Sequence, residues 1–202
     1  MKRLRLSLAM TLAIAAMPTI AAEGTAAAPQ ATPEQQAMME AYEKMGRVGE
    51  PHKQLARMVG EWTYENHMWM EPGKPPMVST GTSVSTAIWD GRYIETLFKG
   101  DYQGQPFEGK SISGYDNLKG KYVATWIDSM STGIFITYGS HDAAANATTY
   151  TGEMDDPLQP GQTIPVRQVD RWIDADHYTF EWYETRDGKE AKTMEIRYSR
   201  KQ

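Results

Sequence analysis

Cysteine is absent from the 202 residues of the chain, and histidine occurs only four times. The lack of cysteine excludes disulfides, a thiolate nucleophile, cysteine zinc sites and iron–sulfur clusters. No His-x-His or His-Glu-x-x-His pattern is present to predict a zinc site. The Gly-x-Ser-x-Gly elbow of hydrolases and the glycine loops that cradle phosphates are also missing. The sequence motifs therefore indicate no particular reaction, and the catalytic residues stay unknown.

A long apolar run occurs only at the N-terminus. Lys2, Arg3 and Arg5 precede an apolar stretch over residues 6–17, and small residues follow as far as Ala22. This pattern predicts a secretory signal peptide over residues 1–22, and its apolar run is too short to span a membrane comfortably. We therefore expect a periplasmic or secreted protein that is not inserted in a membrane after cleavage.

Basic residues are also few. The whole chain carries 21 Lys and Arg against 26 Asp and Glu, and its net charge is −5. Without the three cations of the predicted signal peptide, 18 basic residues face 26 acidic ones, a net charge of about −8. This balance argues against nucleic-acid partners and anionic membrane surfaces, which require basic patches. A hydrophobic content of 40% and a charged content of 23% are typical of one soluble globular domain.

Two short helices are predicted before the main domain. Residues 23–50 form a flexible arm, within which Thr32 is a suitable N-cap and Pro33 a suitable first residue for an amphipathic helix. A second helical segment begins near Glu50 and ends by Gly60. We expect it to close one end of a β-barrel that occupies residues 51–202.

The rest of the chain has the pattern of β-strands. In the first strand, side chains alternate between two faces, which places Trp62, Tyr64, Asn66, Met68 and Met70 together. Short turn signals such as Asp-Gly separate the strands, so the sequence predicts an all-β, antiparallel, up-and-down barrel of about 8–10 strands, calycin-like in type. The predicted strands cover residues 60–70, 77–88, 93–99, 107–115, 121–128, 133–140, 148–154, 163–173, 178–185 and 191–200.

The Gly60-Glu61-Trp62 step that opens this meander resembles the start of lipocalins and other calycins. In lipocalins the tryptophan of this step lies at the closed end of the barrel, and a late arginine packs over it. The resemblance implies the same role for Arg197 or Arg200 and does not choose between them.

A more specific resemblance extends from about residue 52 to residue 201. The stretch Val-Gly-Glu-Trp-Thr-Tyr over residues 59–64 is similar to a bacterial secreted family recorded as a domain of unknown function, number 1579. Further stretches carry the same resemblance, over residues 69–76, 109–117, 122–128 and 192–196. The resemblance implies the barrel fold and implies no catalytic residue.

The candidate site lies inside the barrel, where aromatic residues with a few polar anchors are suited to hold a small, partly apolar molecule such as a lipid or hydrophobic metabolite. The residues expected to line or close it are Trp62, Tyr64, Trp126, Phe180 and Trp182, and the candidate polar anchors are Glu95, Asp128 and Glu181. If these three carboxylates face outward instead, they form a solvated surface, because the pattern alone does not fix which face is inside.

Other functions remain open at this point. Buried carboxylates in the same barrel suit an isomerase, cyclase or hydrolase. A nitrobindin-like barrel would hold haem through one histidine, for which His67 and His177 are the candidates. A barrel filled with side chains would act as an interaction domain. The prediction is a non-enzymatic binding protein with no metal and no required cofactor, and its oligomeric state is left open.

Overall fold

The computed structural model describes residues 31–71 and 73–202. The predicted signal peptide and the start of the predicted arm lie outside the described residues. The elements in chain order are α1 (Pro33–Gly46), α2 (Glu50–Ala56), β1 (Gly60–Met68), β2 (Met77–Ile88), β3 (Tyr93–Tyr102), β4 (Gln105–Asp116), β5 (Lys121–Asp128), β6 (Phe135–Asp142), β7 (Ala147–Asp155), β8 (Thr163–Trp172), β9 (His177–Arg186) and β10 (Lys189–Arg200). Neither helix in this part of the chain is long and apolar enough to cross a membrane.

Helix α1 begins where the sequence predicts. The Thr32 hydroxyl accepts a hydrogen bond from the Gln35 backbone, while the Gln35 side chain accepts one from the Thr32 backbone. This reciprocal capping satisfies two amides that the helix itself leaves unpaired. The apolar side chains of α1 remain exposed, and Met39 keeps 67% of its surface in solvent. Asn117 holds the end of the helix by donating to the carbonyls of Lys44, Met45 and Arg47 at 2.8–3.2 Å.

The ten strands form one closed antiparallel barrel. Each strand pairs with the next along the chain, and β10 pairs with β1 to complete the circle. The predicted Asp-Gly turn joins β9 to β10 with positive φ at Asp187 (51°) and Gly188 (71°), a conformation that this pair adopts readily. The all-β barrel predicted from the sequence is confirmed, with ten strands.

Alternation along the strands decides which side chains lie inside. In β1, Trp62 is fully buried, while its neighbours Glu61 and Thr63 are exposed. The register then brings Ser83 of β2 and Arg200 of β10 to the inner face beside Trp62. Trp62, Tyr64, Asn66 and Met68 of the predicted group therefore form the inner face of β1, whereas Met70 lies beyond the strand and is 65% exposed.

Candidate functional site

Helix α2 and the strand ends beside it close one end of the barrel, here called the closed end. Trp62 lies at its centre with no exposed surface, and its indole N–H donates to the Met58 carbonyl at 2.8 Å. The Arg200 guanidinium lies 4.1 Å from the Trp62 ring centre and donates to the carbonyls of Val59 (2.7 Å) and Arg57 (2.9 Å). Arg200 thus joins the last strand to the chain entering the first.

Packed tyrosines continue this closed end. The Tyr178 ring meets Trp62 edge-on at 5.0 Å and stacks in parallel on Tyr198 at 4.2 Å. Such aromatic pairs add stability beyond the area they bury. On the other side, α2 inserts Leu55 into a second buried cluster whose other members are Ile94, Tyr122 and Tyr150.

A cavity of about 20 Å³ remains between α2 and the barrel at this end. Its lining residues come from α2 with the turn after it and from strands β5 to β9: Gln54, Leu55, Met58, Tyr122, His141, Thr148, Tyr150, Asp170, Trp172 and Tyr178. This closed-end cavity has room for one water-sized group. Among the described residues that line it, Asp170 alone carries a carboxylate.

Asp170 occupies an unusual electrostatic position. Burial raises the pKa of its carboxyl to about 7 from an ordinary value of 3.8, because water that would stabilise the charged form is displaced. Burial also raises the pKa of Tyr150, Tyr178 and Tyr198, and the negative charge of Asp170 adds to each rise. A carboxyl that titrates near neutral pH beside hydroxyl groups is a recognised mark of a functional site.

The half of the barrel away from α2, here called the open half, is lined by a chain of aromatic rings. Phe98 lies 6.3 Å from Tyr64 and 5.2 Å from Trp126. On the far side of the barrel, Trp182 lies 5.2 Å from Phe135 and 6.3 Å from Phe180. All of these rings are on inner faces, yet each is only half-buried. Much of the inner wall of the open half is therefore aromatic, and its rings are less enclosed than those at the closed end.

Glycines on the inner wall explain how large rings leave space there. A Cβ added at Gly109 would overlap the Trp126 ring, and one added at Gly81 would overlap the Tyr64 ring. Each ring therefore lies flat against the wall over a glycine instead of extending across the barrel. This pairing of an aromatic ring with a glycine is a recurrent device in β-sheets.

A cavity of about 260 Å³ lies at the edge of the open half, between β1, β2 and the β3–β4 hairpin. It is lined by Asn66, Met68, Met77, Val78, Ser79, Asp101, Tyr102 and Gln103. The amide oxygen of Asn66 is buried there and has no hydrogen-bond partner among the described residues. A buried polar atom left unpaired is costly, so this oxygen is suited to accept a hydrogen bond from a bound molecule.

The family model described as "Protein of unknown function (DUF1579)" matches residues 47–200. The chain belongs to this family. Among solved structures it is similar to a redesigned β-barrel, at 11% identity and a TM-score of 0.39, over 74% of this chain and 96% of that chain. No curated protein matches the chain.

Membership of the DUF1579 family agrees with the resemblance drawn from residues 59–64. The calycin resemblance is consistent with the barrel too, and the structure chooses between the two arginines. Arg200 covers Trp62, whereas Arg197 lies outside and pairs with Glu195 at 2.8 Å.

Most of the predicted aromatic residues lie inside the barrel. Tyr64, Trp126, Phe180 and Trp182 are on inner faces of the open half. Trp62 is inside as well but completely enclosed, so it closes the barrel and lies beyond the reach of a ligand in the open half. Sequence reasoning grouped these five residues and had no means to separate the two ends.

Two of the three predicted polar anchors face outward from the barrel. Glu95 lies between the inward Ile94 and Thr96, so it faces outward, where it pairs with Lys110. Glu181 likewise faces outward and pairs with Lys192 at 3.3 Å. The expectation that Glu95 and Glu181 contact an interior ligand is therefore wrong, because side-chain alternation puts both on the solvated surface.

Asp128 does face inward, but its oxygens are engaged. One accepts a hydrogen bond from the Trp126 indole at 2.8 Å, and the other accepts from the Met130 backbone at 2.9 Å. Asp128 thus orients Trp126 at the end of β5.

Neither histidine considered as a haem ligand faces the interior. His67 is on the outer face of β1, 2.5 Å from Glu65, and His177 is exposed beside Asp174. His52 is buried, where its ring accepts a hydrogen bond from the Gly49 backbone, and burial lowers its pKa. His141 lines the closed-end cavity. The described residues contain no group of three or more His, Asp or Glu able to hold a metal ion.

Sequence reasoning missed Asp170 and His141 as site residues. A signal for Asp170 was present, since Ile164, Val166, Gln168, Asp170 and Trp172 alternate along β8 as one face. That face is apolar at one end and aromatic at the other, which marks it as the inner one. No local signal shows that His141 lies near Asp170. The two residues become neighbours only when β7 pairs with both of their strands.

Proposed function

We propose that this protein binds a small, partly apolar molecule, such as a lipid or hydrophobic metabolite, in the open half of its barrel, without catalysing its conversion. The observation that carries the proposal is the half-buried state of inward-facing aromatic rings, above all Trp126, Phe180 and Trp182. In a barrel filled only by its own side chains these rings would be enclosed, as Trp62 is at the other end.

The chemistry of the open half supports this proposal. Aromatic rings form much of its wall, and Met68, Met77 and Asn66 surround the cavity of about 260 Å³ at its edge. Cavities that bind small molecules combine such walls with a few polar groups that orient the ligand. The unpaired oxygen of Asn66 supplies one acceptor for a hydroxyl or amide donor.

The test uses Nile red, a neutral apolar fluorophore, with two matched variants. Ile196 faces the interior beside Phe180, whereas Leu97 faces outward and is 45% exposed. Ile196→Trp adds a ring inside the barrel, and Leu97→Trp adds the same ring outside. We expect saturable binding by the natural protein and by Leu97→Trp, and at least a tenfold loss of affinity in Ile196→Trp.

Native mass spectrometry of the protein purified gently from its source, followed by organic extraction, examines the natural occupant. One discrete retained compound would support the proposal. Equal Nile red affinity in both variants would refute it, as would the absence of saturable binding together with a ligand-free mass, and would favour a filled barrel that serves as an interaction domain.

An enzyme is the second candidate, and Asp170 is the observation in its favour. Its pKa of about 7 suits a general acid or base at neutral pH, and Tyr178 and His141 line the same cavity. Hydrolysis of a panel of p-nitrophenyl esters that disappears in Asp170→Asn would support this function. Absence of turnover across the panel leaves binding as the function proposed.

We also propose that the protein acts after export, in the periplasm or outside the cell. The basic and apolar pattern of residues 1–22 supports this location. N-terminal sequencing of the protein recovered from a periplasmic fraction tests it, and a start near Glu23 is the expected result. Recovery of an intact Met1 start from the cytoplasm alone would contradict it.

A further inference from the structure

The Asp170 carboxylate lies in the closed-end cavity, where the described residues offer it no hydrogen-bond donor and no ion pair. Burial alone accounts for the rise of its pKa, and no hydrogen bond or ion pair from this part of the chain offsets that burial. The Asp170 side chain keeps part of its surface open to the cavity. An unpaired buried charge is costly, and such a charge is retained where a bound ion or ligand compensates it.

Arg57 and Arg200, which pack on aromatic rings at this end, are directed elsewhere. Arg57 lies 4.1 Å from the Trp172 ring and donates to the Asn146 side chain at 2.9 Å. Arg200 covers Trp62 and donates to backbone carbonyls. The described part of the chain thus packs arginines against aromatic rings of this end and places no Lys or Arg side chain in the lining of the cavity.

Aromatic rings form most of the remaining wall. Trp172 and Tyr178 lie 5.0 Å apart at an angle of 36°, and Tyr122 and Tyr150 lie across from them. The faces of such rings carry partial negative charge and attract cations, most strongly where water is excluded. A carboxylate enclosed by aromatic walls is suited to a positively charged nitrogen.

We propose that the closed-end cavity binds an ammonium ion or the ammonium group of a small primary amine, with Asp170 as its counter-charge and Trp172 and Tyr178 as aromatic walls. The cavity of about 20 Å³ admits one water-sized group. A primary ammonium fits that volume, and a tetramethylammonium ion does not. The Gln54 amide oxygen at the half-buried rim accepts a long hydrogen bond from Arg57 (3.5 Å) and retains a second lone pair.

This site is separate from the ligand site proposed in the open half, so either proposal can fail alone. Binding of the cation requires an ionised Asp170. The titratable and charged groups that face it or border its cavity are His141 of β6, Tyr122 of β5, Tyr150 of β7, Tyr178 of β9, Tyr198 of β10, and Arg57 after α2. The hydroxyl groups of these tyrosines stay neutral up to high pH, because burial raises the pKa of each one.

The test is a titration of the full-length mature protein with methylammonium chloride at pH 8.5, followed by the NMR signal of the Trp172 indole. Sodium chloride and tetramethylammonium chloride serve as salt and size controls. Asp170→Asn removes the charge and keeps the shape, and Asp187→Asn removes an equal charge from an exposed turn where asparagine tolerates the positive φ.

We expect saturation by methylammonium in the natural protein and in Asp187→Asn, with at least a tenfold loss of affinity in Asp170→Asn and for tetramethylammonium. Lowering the pH from 8.5 to 5.5 in the natural protein should weaken binding at least tenfold, which tests the charge without any substitution. A signal that responds equally to sodium chloride, the absence of saturation by methylammonium, or binding that survives Asp170→Asn would each overturn the proposal.

Discussion

The two ends of this barrel are built from the same kind of residue and differ in how the rings are enclosed. At the closed end, Trp62, Tyr178 and Tyr198 have at most 5% of their surface exposed and are covered by α2 and Arg200. In the open half, Trp126 and Trp182 face inward and stay half-buried. The comparison teaches that aromatic content alone does not distinguish a core from a binding site, whereas the covering elements do.

The largest expected effect comes from removing the central ring of the closed end. Trp62→Ala should lower the free energy of unfolding by about 3–5 kcal/mol, since it deletes a fully buried ring together with its hydrogen bond to Met58. Trp182→Ala in the open half should cost roughly half as much, because part of that ring is already in water. Urea unfolding followed by circular dichroism measures both.

Equal losses for the two tryptophans would mean that the open half is packed as tightly as the closed end. That result would count against a ligand cavity as well, because it would imply that the lumen around Trp182 has no room to spare.

The pH dependence of the free energy of unfolding reports on the Asp170 carboxyl in the closed-end cavity. The Asp170 carboxyl has a pKa of about 7 when folded and 3.8 as the ordinary value for the unfolded chain. Between these values the unfolded chain has released a proton that the folded protein keeps, so stability falls as pH rises. The stability that the neutral Asp170 carboxyl contributes is complete below pH 3.8 and is lost as the pH rises to 7. The difference in the free energy of unfolding is roughly 4 kcal/mol.

Asp170→Asn removes this titration. The variant should therefore match the natural protein near pH 4 and exceed its stability at pH 8 by about 3–4 kcal/mol, with ammonium salts absent. Thermal unfolding across that pH range provides the measurement. A constant difference between the two proteins at every pH would show that the pKa of Asp170 does not change on folding, which would contradict its burial as a neutral carboxyl.

The fold was predictable from sequence because its signals are local. Short β-patterned runs separated by turn signals mark all ten strands, two of the turns contain Asp-Gly, and Gly60-Glu61-Trp62 marks where the barrel starts. The faces of Glu95 and Glu181 were not predictable, since a strand with polar and aromatic residues on both sides gives no parity signal. The closed-end cavity was beyond sequence analysis altogether, because α2, β6 and β8 meet there only after the barrel closes.

Substitutions of Arg200 and Arg197, between which the sequence did not choose, should change the free energy of unfolding by smaller amounts. Arg200→Lys should cost about 2 kcal/mol, because lysine lacks the planar group that covers Trp62 while donating to Val59 and Arg57. Arg197→Lys makes the same change where the side chain is 57% exposed, so its cost should stay below about 0.5 kcal/mol. A reversed order in chemical denaturation would contradict the role given to Arg200.

The smallest effect tests how the open half keeps its lumen clear. In Gly109→Ala the new methyl group overlaps the Trp126 ring and forces it off the wall, at a cost of about 1–2 kcal/mol. In a Trp126→Ala background the same substitution should cost little or nothing, because the ring is gone and the double-mutant cycle then isolates their contact. Ring displacement into the lumen should also weaken Nile red binding in Gly109→Ala alone. If the stability costs of the two substitutions were additive, the glycine at position 109 would not be required by Trp126. The flat packing of the ring that leaves room for a ligand would then need another cause.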